Sequence, residues 1–202
     1  MFVIVRHGNT FAASEAPRRI GARTDLPLTG SGQQQARALG AHFAAKGWHF
    51  GQALISPLRR TRETAEAILA AQPSPPAPQP RDWLAEIDHG PDENRTEDEV
   101  LARLGPDALA AWDHHATPPP GWTVEAETRK AAWRDLFAAP PGNAPLLLVT
   151  SNGAARFALL ADPALAQAAQ ALPHLKLPTG SYGVIQRGED GDLHITDWGV
   201  RP

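Results

Sequence analysis

The amino-acid sequence predicts an α/β fold built on a largely parallel sheet. Residues 2–5 and 146–149 are wholly apolar and lack the polar alternation of a half-exposed strand, which is typical of strands buried on both faces. Stretches with apolar residues at helical spacing occur after each of these two runs. A sheet of buried strands connected by helices is therefore the predicted architecture.

The length and composition limit the possible functions. The 202 residues suffice for one well-filled core, so a single domain spanning residues 1–202 is predicted. The net charge of −3 gives no strong field for nucleic acid or an anionic membrane. The absence of cysteine excludes disulfides, thiolate metal sites and a cysteine nucleophile. Arginine supplies 16 of the 19 basic residues, and its side chain suits bidentate contacts with carboxylate or phosphate.

The first residues also bear on the location of the protein. A buried strand predicted from Phe2 leaves no room for a charged region followed by a removable apolar segment. No stretch approaches the length and hydropathy of a membrane span. We therefore expect a cytoplasmic protein that has neither a membrane nor nucleic acid as a partner.

The first strand ends abruptly in charged and polar residues. Arg6, His7 and Gly8 follow it directly, and in open α/β sheets ligands collect outside the carboxyl ends of the strands. A solvated strand end is the alternative interpretation. Residues 11–28 then form a predicted loop that carries Arg23, which either borders an anion site or is simply solvated.

The helix after this loop has a recognisable start signal. Ser31 and Gln34 form the pattern of a capping box, and apolar residues recur behind them at helical spacing. A helix with a structural role is predicted over residues 31–46.

A second strand and helix bring another candidate side chain. Residues 52–55 predict a short strand, and Ser56-Pro57 predicts an N-cap and first helical position for a helix that ends near residue 71. Arg60 lies in the first turns, where free N–H groups favour anions, and it lacks the glutamate four residues on that both Arg59 and Arg62 have. Arg60 is therefore a candidate phosphate ligand.

The middle third of the chain is rich in proline and tryptophan. Residues 73–80 are typical of a polyproline connector, and residues 83–87 predict a brief strand that ends in Glu86. A polar run follows, which is either a solvated loop or a substrate-facing lid. Helices are predicted at residues 96–103, 106–114 and 124–138. We predict that residues 88–140 form a helical insertion or lid beside the sheet.

The second apolar strand also ends in polar residues, among them Ser151 and Asn152. A helix is predicted over residues 154–161, and another opens at Pro163. Residues 182–187 and 193–198 predict two strands, and the polar turn between them favours an antiparallel hairpin.

The predicted strand ends together suggest one chemistry. A histidine, two arginines and a carboxylate at one sheet edge suit phosphoryl transfer, in which a protein mainly positions the group and spreads its negative charge. Neutral imidazole can act as the nucleophile, arginine forks can hold phosphoryl oxygens, and a carboxylic acid can protonate the departing oxygen. His42, His49, His174 and His194 show no metal-ligand spacing with one another or with carboxylates, so no metal site is predicted.

Four blocks of the chain, in order, resemble the histidine phosphatase superfamily, in the branch that contains the cofactor-dependent phosphoglycerate mutases. They are Arg-His-Gly-Asn-Thr at residues 6–10, Gly-Ala-Arg-Thr-Asp-Leu-Pro-Leu-Thr at 21–29, Ser-Pro-Leu-Arg-Arg-Thr-Arg-Glu-Thr-Ala at 56–65 and Leu-Ala-Glu-Ile-Asp at 84–88. The resemblance covers most of the chain and is weakest between about residues 91 and 145.

This resemblance implies a three-layer α/β/α sandwich on a mostly parallel mixed sheet. It also implies a metal-independent phosphatase, without a cofactor, that acts on a small phosphorylated metabolite through a phosphohistidine at His7. Glu86 would be the proton donor. The implied phosphate-binding residues are Arg6, Arg60, Asn9 and Ser151.

One part of the family's pattern is missing. Ser151 stands where the family has a second histidine, and a hydroxyl can donate to phosphate but carries no charge. His89 or Asn152 could partly replace the lost group, although a surface-loop histidine is the alternative interpretation of His89. A weak or inactive member that binds a phosphorylated ligand as a sensor or scaffold is the alternative function, and a mutase is disfavoured. The sequence leaves the oligomeric state open.

Overall fold

The computed structural model describes residues 1–139 and 142–202, which form one six-stranded sheet with helices on both faces. In spatial order the strands run β3-β2-β4-β1-β5-β6. The strands are β1 (Phe2–Arg6), β2 (Gln52–Ile55), β3 (Pro78–Pro80), β4 (Leu146–Thr150), β5 (Tyr182–Arg187) and β6 (Leu193–Val200). The α-helices are α1 (Gly30–Ala45), α2 (Arg59–Leu69), α3 (Glu97–His115), α4 (Ala126–Ala138), α5 (Asn152–Leu160) and α6 (Pro163–Ala169). Two short 3₁₀ turns lie at Asp82–Leu84 and Gly90–Asp92.

The sheet is mixed but mostly parallel, as predicted. Strand β1 pairs in parallel with β4, with Phe2 opposite Leu146 and Arg6 opposite Thr150. Strand β4 pairs in parallel with β2, and β2 with β3. The β5–β6 hairpin closes one edge in antiparallel pairing, which confirms that prediction. The carboxyl ends of β1, β2 and β4 therefore meet at one edge of the sheet.

Alternate residues of the central strands face two separate apolar layers. Val3 and Val5 contact the layer under α1 and α2, which includes Leu39, Phe43 and Ile68. The other face, including Ile4 and Leu148, is covered by α3 to α6, whose tryptophans and Phe157 are buried there. Each such side chain contributes about 1.5 to 3 kcal/mol on burial. The three-layer α/β/α architecture is confirmed.

The starts of α1 and α2 differ from the predictions. Thr29, not Ser31, caps α1, because its hydroxyl accepts the N–H of Gly32 at 3.2 Å. Ser56 does not cap α2. Its hydroxyl instead accepts the N–H of Leu58 in a turn that precedes the helix, so α2 begins later, at Arg59.

The prediction of a strand at residues 83–87 is wrong. The prediction of a polyproline connector over residues 73–80 is wrong in its last part. Residues Pro78–Pro80 pair with β2 as an edge strand, a position that tolerates proline because one side of the strand needs no N–H donors. The chain then turns through Asp82–Leu84, so Glu86 lies on a loop and not at a strand end. Buried side chains hold this loop: Thr150 Oγ1 donates to Leu84 O, and Arg129 donates to two further carbonyls of the loop.

The middle of the chain is helical, as predicted. The first two predicted helices meet at Gly105, whose φ of 77° breaks α3 into two arms. Helix α4 begins at Ala126, two residues after the predicted start. Residue 140, the last of the predicted insertion, lies outside the described residues, and the single-domain organisation and the insertion stay predictions. No helix of the described ranges is both long and apolar enough to cross a membrane.

Candidate active site

His7 lies just past β1 with its ring nitrogens in distinct roles. Nδ1 is 2.8 Å from the carbonyl oxygen of Gly8, and Nε2 is 3.2 Å from Nε of Arg60. A guanidinium N–H can only donate, so Nε2 is the acceptor and Nδ1 carries the proton. Burial, followed by the charges of Arg60 and Arg6, lowers the pKa of His7 well below 6.5. The ring is therefore neutral at pH 7, with its lone pair on Nε2, the state that nucleophilic attack requires.

Arg60 is fully buried in the first turn of α2 and is held by a loop. Its Nη1 donates to Thr24 O at 2.8 Å and its Nη2 to Gly21 O at 3.3 Å. Together with the bond to His7, these contacts use three of the five guanidinium N–H groups. Among the described residues the other two N–H groups have no acceptor, so they are available to an anion.

Arg6 approaches the same corner from the end of β1. Its Nη1 donates to Leu177 O at 2.6 Å, whereas its buried Nε has no hydrogen-bond partner among the described residues. Burial lowers the pKa of Arg6 to about 10, and the charges of Arg60 and Arg201 act in the same direction, against the carboxylate of Glu86. An anion bound here would accept the hydrogen bond from Nε–H and would reduce the repulsion between the guanidinium groups.

Glu86 is buried between its loop and the first turn of α5. One carboxylate oxygen accepts the N–H of Ile87 at 3.0 Å, and the other accepts the N–H of Gly153 at 3.1 Å. A Cβ on Gly153 would lie 2.1 Å from the carboxylate, so only glycine allows this approach. Burial raises the pKa of Glu86, but His89, the two N–H donors and Arg60 outweigh it and lower the pKa below 4.5. Glu86 is therefore ionised in the unliganded protein.

The side chains of Asn9 and Asn152 form hydrogen bonds, whereas that of Ser151 does not form any with the described residues. The Ser151 hydroxyl is buried without a hydrogen-bond partner in the described part of the chain. Asn9 Oδ1 accepts from the Thr179 hydroxyl at 2.5 Å, and Asn152 Oδ1 accepts the N–H of Leu177 at 2.9 Å. Both asparagines thus position the segment that precedes β5, and their roles as ligands stay predictions.

His89 is buried, so its interpretation as a surface histidine is wrong. Only 6% of the residue is exposed, and its ring packs edge-on against Trp122 at a centroid distance of 4.6 Å. Its Nδ1 is 3.5 Å from Glu93 Oε2, too long for a strong hydrogen bond. Arg23, in contrast, is exposed at the site's rim and pairs with Asp88 at 3.0 Å. The proposed compensating role of His89 stays a prediction.

Glu93 is a positioning residue that the sequence did not single out. Its Oε1 accepts from Gly21 N and Thr24 Oγ1, both at 2.8 Å, and Oε2 accepts from His89 N at 3.2 Å. It thus fixes the loop whose carbonyls hold Arg60. Burial raises the pKa of Glu93, but the adjacent His89 ring and the hydrogen bonds from Thr24, Gly21 and the His89 backbone N–H outweigh it and bring the pKa to about 2.

We expect Glu93→Gln to destabilise the fold at pH 7 by about 1 to 3 kcal/mol, the lower end allowing for solvent screening. Because the pKa of Glu93 lies below the ordinary 4.5, its ionised form stabilises the protein above pH 4.5, and this contribution is lost as the pH falls toward 2. Urea unfolding should show a gap between native and variant at pH 7 that narrows at pH 3.5. The exposed Glu66→Gln is the control. Equal stability at pH 7, or a gap independent of pH, would contradict this prediction.

In the described ranges, no group of three histidine, aspartate or glutamate side chains is arranged to hold a metal ion. The site thus consists of a neutral histidine, two arginines with free donors, a carboxylate and a free hydroxyl. They converge from the ends of β1 and β4, the start of α2 and the loop before α3.

Comparisons with known proteins show what the chain is similar to. A family model described as histidine phosphatase superfamily (branch 1) matches residues 2–200. A 2,3-bisphosphoglycerate-dependent phosphoglycerate mutase of Rhizobium etli is 34% identical over 121 residues, which are 59% of this chain and 57% of that protein. A mutase of the same description from Methylobacterium sp. is 32% identical over 60% of this chain and 58% of its own. The matched segments therefore cover less than two thirds of these curated relatives.

Solved structures show the same fold over nearly the whole chain. A mycobacterial glucosyl-3-phosphoglycerate phosphatase superposes with a TM-score of 0.76 at 20% identity, covering 98% of both chains. A crystal structure of a Thermus thermophilus protein superposes with a TM-score of 0.63 at 28% identity, covering 92% of both chains. The likeness to the first shows the fold alone.

Proposed function

The chain belongs to the histidine phosphatase superfamily (branch 1), and from this membership we propose that it is a metal-independent phosphomonoester hydrolase acting on a small phosphorylated metabolite. The observation that carries the proposal is the neutral ring of His7, whose Nε2 lone pair lies beside the Arg60 guanidinium. A nucleophile and the cations for an incoming phosphate are thus held together.

The proposed reaction begins with a change of partner at Arg60. In the unliganded protein its Nε–H donates a hydrogen bond to Nε2 of His7. Before the attack, this N–H must donate instead to a phosphoryl oxygen, so that the lone pair of Nε2 is free. Nε2 then forms a bond to phosphorus while the bond from phosphorus to the alcohol oxygen breaks. Arg6 and Arg60 hold the equatorial oxygens, and the Ser151 hydroxyl is free to donate to one of them.

The departing oxygen needs a proton, which we assign to Glu86. The carboxylate is ionised without substrate, and a phosphate dianion bound beside it raises its pKa, so Glu86 takes up a proton as the substrate binds. It then donates this proton to the leaving alcohol. In the second step Glu86 accepts a proton from water, which attacks phosphorus and releases His7 and inorganic phosphate.

Hydrolysis of 4-nitrophenyl phosphate in the presence of EDTA tests this function. We expect equal amounts of nitrophenol and phosphate without any added acceptor, which distinguishes a hydrolase from a mutase, and a rate that the chelator does not change. A rate no greater than that of the uncatalysed reaction would contradict the proposed hydrolase activity. It would favour the alternative, a protein that only binds phosphorylated ligands.

Replacing Ser151 tests whether its hydroxyl takes part. Because the hydroxyl is buried without a partner, Ser151→Ala should leave the free energy of unfolding unchanged or slightly raised. It should lower kcat/KM about fivefold, the value of one neutral hydrogen bond of about 1 kcal/mol. Ser151→His, which restores the residue implied by the resemblance, should raise kcat/KM. An unchanged rate in Ser151→Ala would show that the hydroxyl does not contact the phosphate.

A further inference from the structure

Arg129 of α4 is a buried cation that the reaction described above does not use. Only 5% of the residue is exposed, and the hydrogen bonds that its side chain donates to described residues all go to backbone carbonyl oxygens. Its Nε donates to Val124 O at 2.8 Å. Its Nη1 donates to Trp83 O at 2.8 Å and to Ala85 O at 2.6 Å. A buried guanidinium that bonds only to neutral carbonyls is costly, so its place in the fold needs an explanation.

The two carbonyls that accept from Nη1 belong to the loop that carries the proposed proton donor. Ala85 directly precedes Glu86 in the chain. The carbonyl of Leu84 accepts from Thr150 Oγ1 at 2.5 Å. Three successive carbonyls, at residues 83–85, are thus held by buried side chains of α4 and β4. These bonds fix the backbone from which the Glu86 side chain extends.

Apolar packing between α4 and this loop reinforces the attachment. One turn after Arg129, the fully buried Trp133 packs edge-on against Trp83 at a centroid distance of 4.9 Å. Leu84 is also fully buried. The loop therefore cannot leave α4 without exposing apolar surface, and the directional hydrogen bonds of Arg129 set where it lies.

The charge of Arg129 also acts on Glu86. Burial lowers the pKa of Arg129, and the carboxylate of Glu86 is the largest influence that opposes this shift. The attraction is mutual, so the guanidinium favours the ionised form of Glu86. Once Glu86 has taken up a proton, the same charge makes it a stronger acid and thus a better proton donor.

We propose that Arg129 is a positioning residue for the proton donor, because by holding the carbonyl of Ala85 it directs the carboxyl group of Glu86 toward the departing oxygen. This role rests on the proposed function, in which Glu86 protonates the leaving alcohol. A residue that only supports the fold affects all substrates alike. A residue that acts through Glu86 matters only where the leaving group needs a proton.

Two aryl phosphates with different leaving groups test the proposal. Phenol is about as weak an acid as the tyrosine side chain, with a pKa of about 10, so it leaves slowly unless it is protonated. The much stronger acid 2,4-dinitrophenol leaves without a proton. Arg129→Gln should therefore lower kcat/KM for phenyl phosphate by about 10²-fold, the effect of misplacing a catalytic group by about 1 Å. For 2,4-dinitrophenyl phosphate the loss should be less than about threefold.

A double-mutant cycle shows whether the effect passes through the proton donor. In the Glu86→Gln background, Arg129→Gln should change kcat/KM for phenyl phosphate by less than about twofold, because the group through which Arg129 acts is absent. Equal losses for both aryl phosphates, or an undiminished loss in the Glu86→Gln background, would overturn the proposal and make Arg129 a support of the fold only.

The same helix supplies a matched control in Arg134→Gln, which makes the same change at an exposed position five residues on and should keep native rates for both substrates. Arg129→Lys keeps the charge and loses the planar fork, so it should recover part of the loss for phenyl phosphate. If Arg129→Gln does not fold, Arg129→Lys carries the test, and a native ratio of the two rates in that variant would overturn the proposal.

A measurement without turnover separates this proposal from the hydrolase activity. In protein labelled with ¹³C at the glutamate carboxyls, the signal of Glu86 is the one absent from Glu86→Gln. Arg129→Gln should raise the pH at which this signal titrates, and Arg134→Gln should not. An unchanged titration in Arg129→Gln would reject the role of Arg129 whatever the turnover. A raised titration in a protein without turnover would reject the hydrolase and keep Arg129 as the residue that positions Glu86.

Discussion

His7→Ala is expected to lower kcat/KM for 4-nitrophenyl phosphate by about 10⁴-fold or more, which corresponds to at least about 5.5 kcal/mol of transition-state stabilisation. The reason is that the variant lacks the atom to which phosphorus is transferred, and the remaining arginines can only orient substrate toward water. Native protein quenched with labelled substrate should carry a phosphoryl group that is labile in acid. The variant should carry none.

Two further variants serve as controls for this prediction. His7→Gln fills the buried site and retains groups that can bond to Gly8 and Arg60, so it separates loss of the nucleophile from loss of packing. His194→Ala removes an exposed histidine of the β5–β6 hairpin and should retain native turnover. Native rates in both folded His7 variants would exclude the phosphohistidine and with it the proposed mechanism.

Much of the fold could be predicted because its signals are local. The two central strands are apolar, and His7 lies just past the end of the first; both features are encoded in runs of adjacent residues. Arg60 stood out because it lacks the glutamate four residues on that both Arg59 and Arg62 have. The structure buries it against His7, whereas Arg59 pairs with Glu63 at 2.6 Å. The local spacing of arginine and glutamate thus distinguished the buried Arg60 from the exposed Arg59.

The errors lie where contacts between distant residues decide the structure. Two prolines and a glutamine do not suggest a strand, but residues Pro78–Pro80 need only the exposed edge of β2 as a partner. Glu93 belongs to a polar run that is typical of a solvated loop, yet it accepts the N–H of Gly21, 72 residues away. The burial of His89 depends in the same way on Trp122. No spacing in the sequence encodes such pairings.

Arg60→Ala should lower kcat/KM for 4-nitrophenyl phosphate by about 10² to 10³, because it removes preorganised donors from the phosphoryl oxygens. It should also lower stability by about 1 to 3 kcal/mol, since the carbonyls of Gly21 and Thr24 lose their donor. Steady-state kinetics and urea unfolding on the same preparation measure both effects.

The chain supplies a matched control for this change in Arg62→Ala, two residues on in the same helix but exposed, which should leave both quantities near native. Arg60→Lys keeps the charge and loses the planar fork, so it should recover affinity for phosphate more fully than kcat. If Arg60→Ala loses stability but keeps native kcat/KM, Arg60 serves only to anchor the loop that Glu93 also holds. If kcat falls while Arg60→Lys restores binding, the fork itself orients the phosphoryl group toward His7.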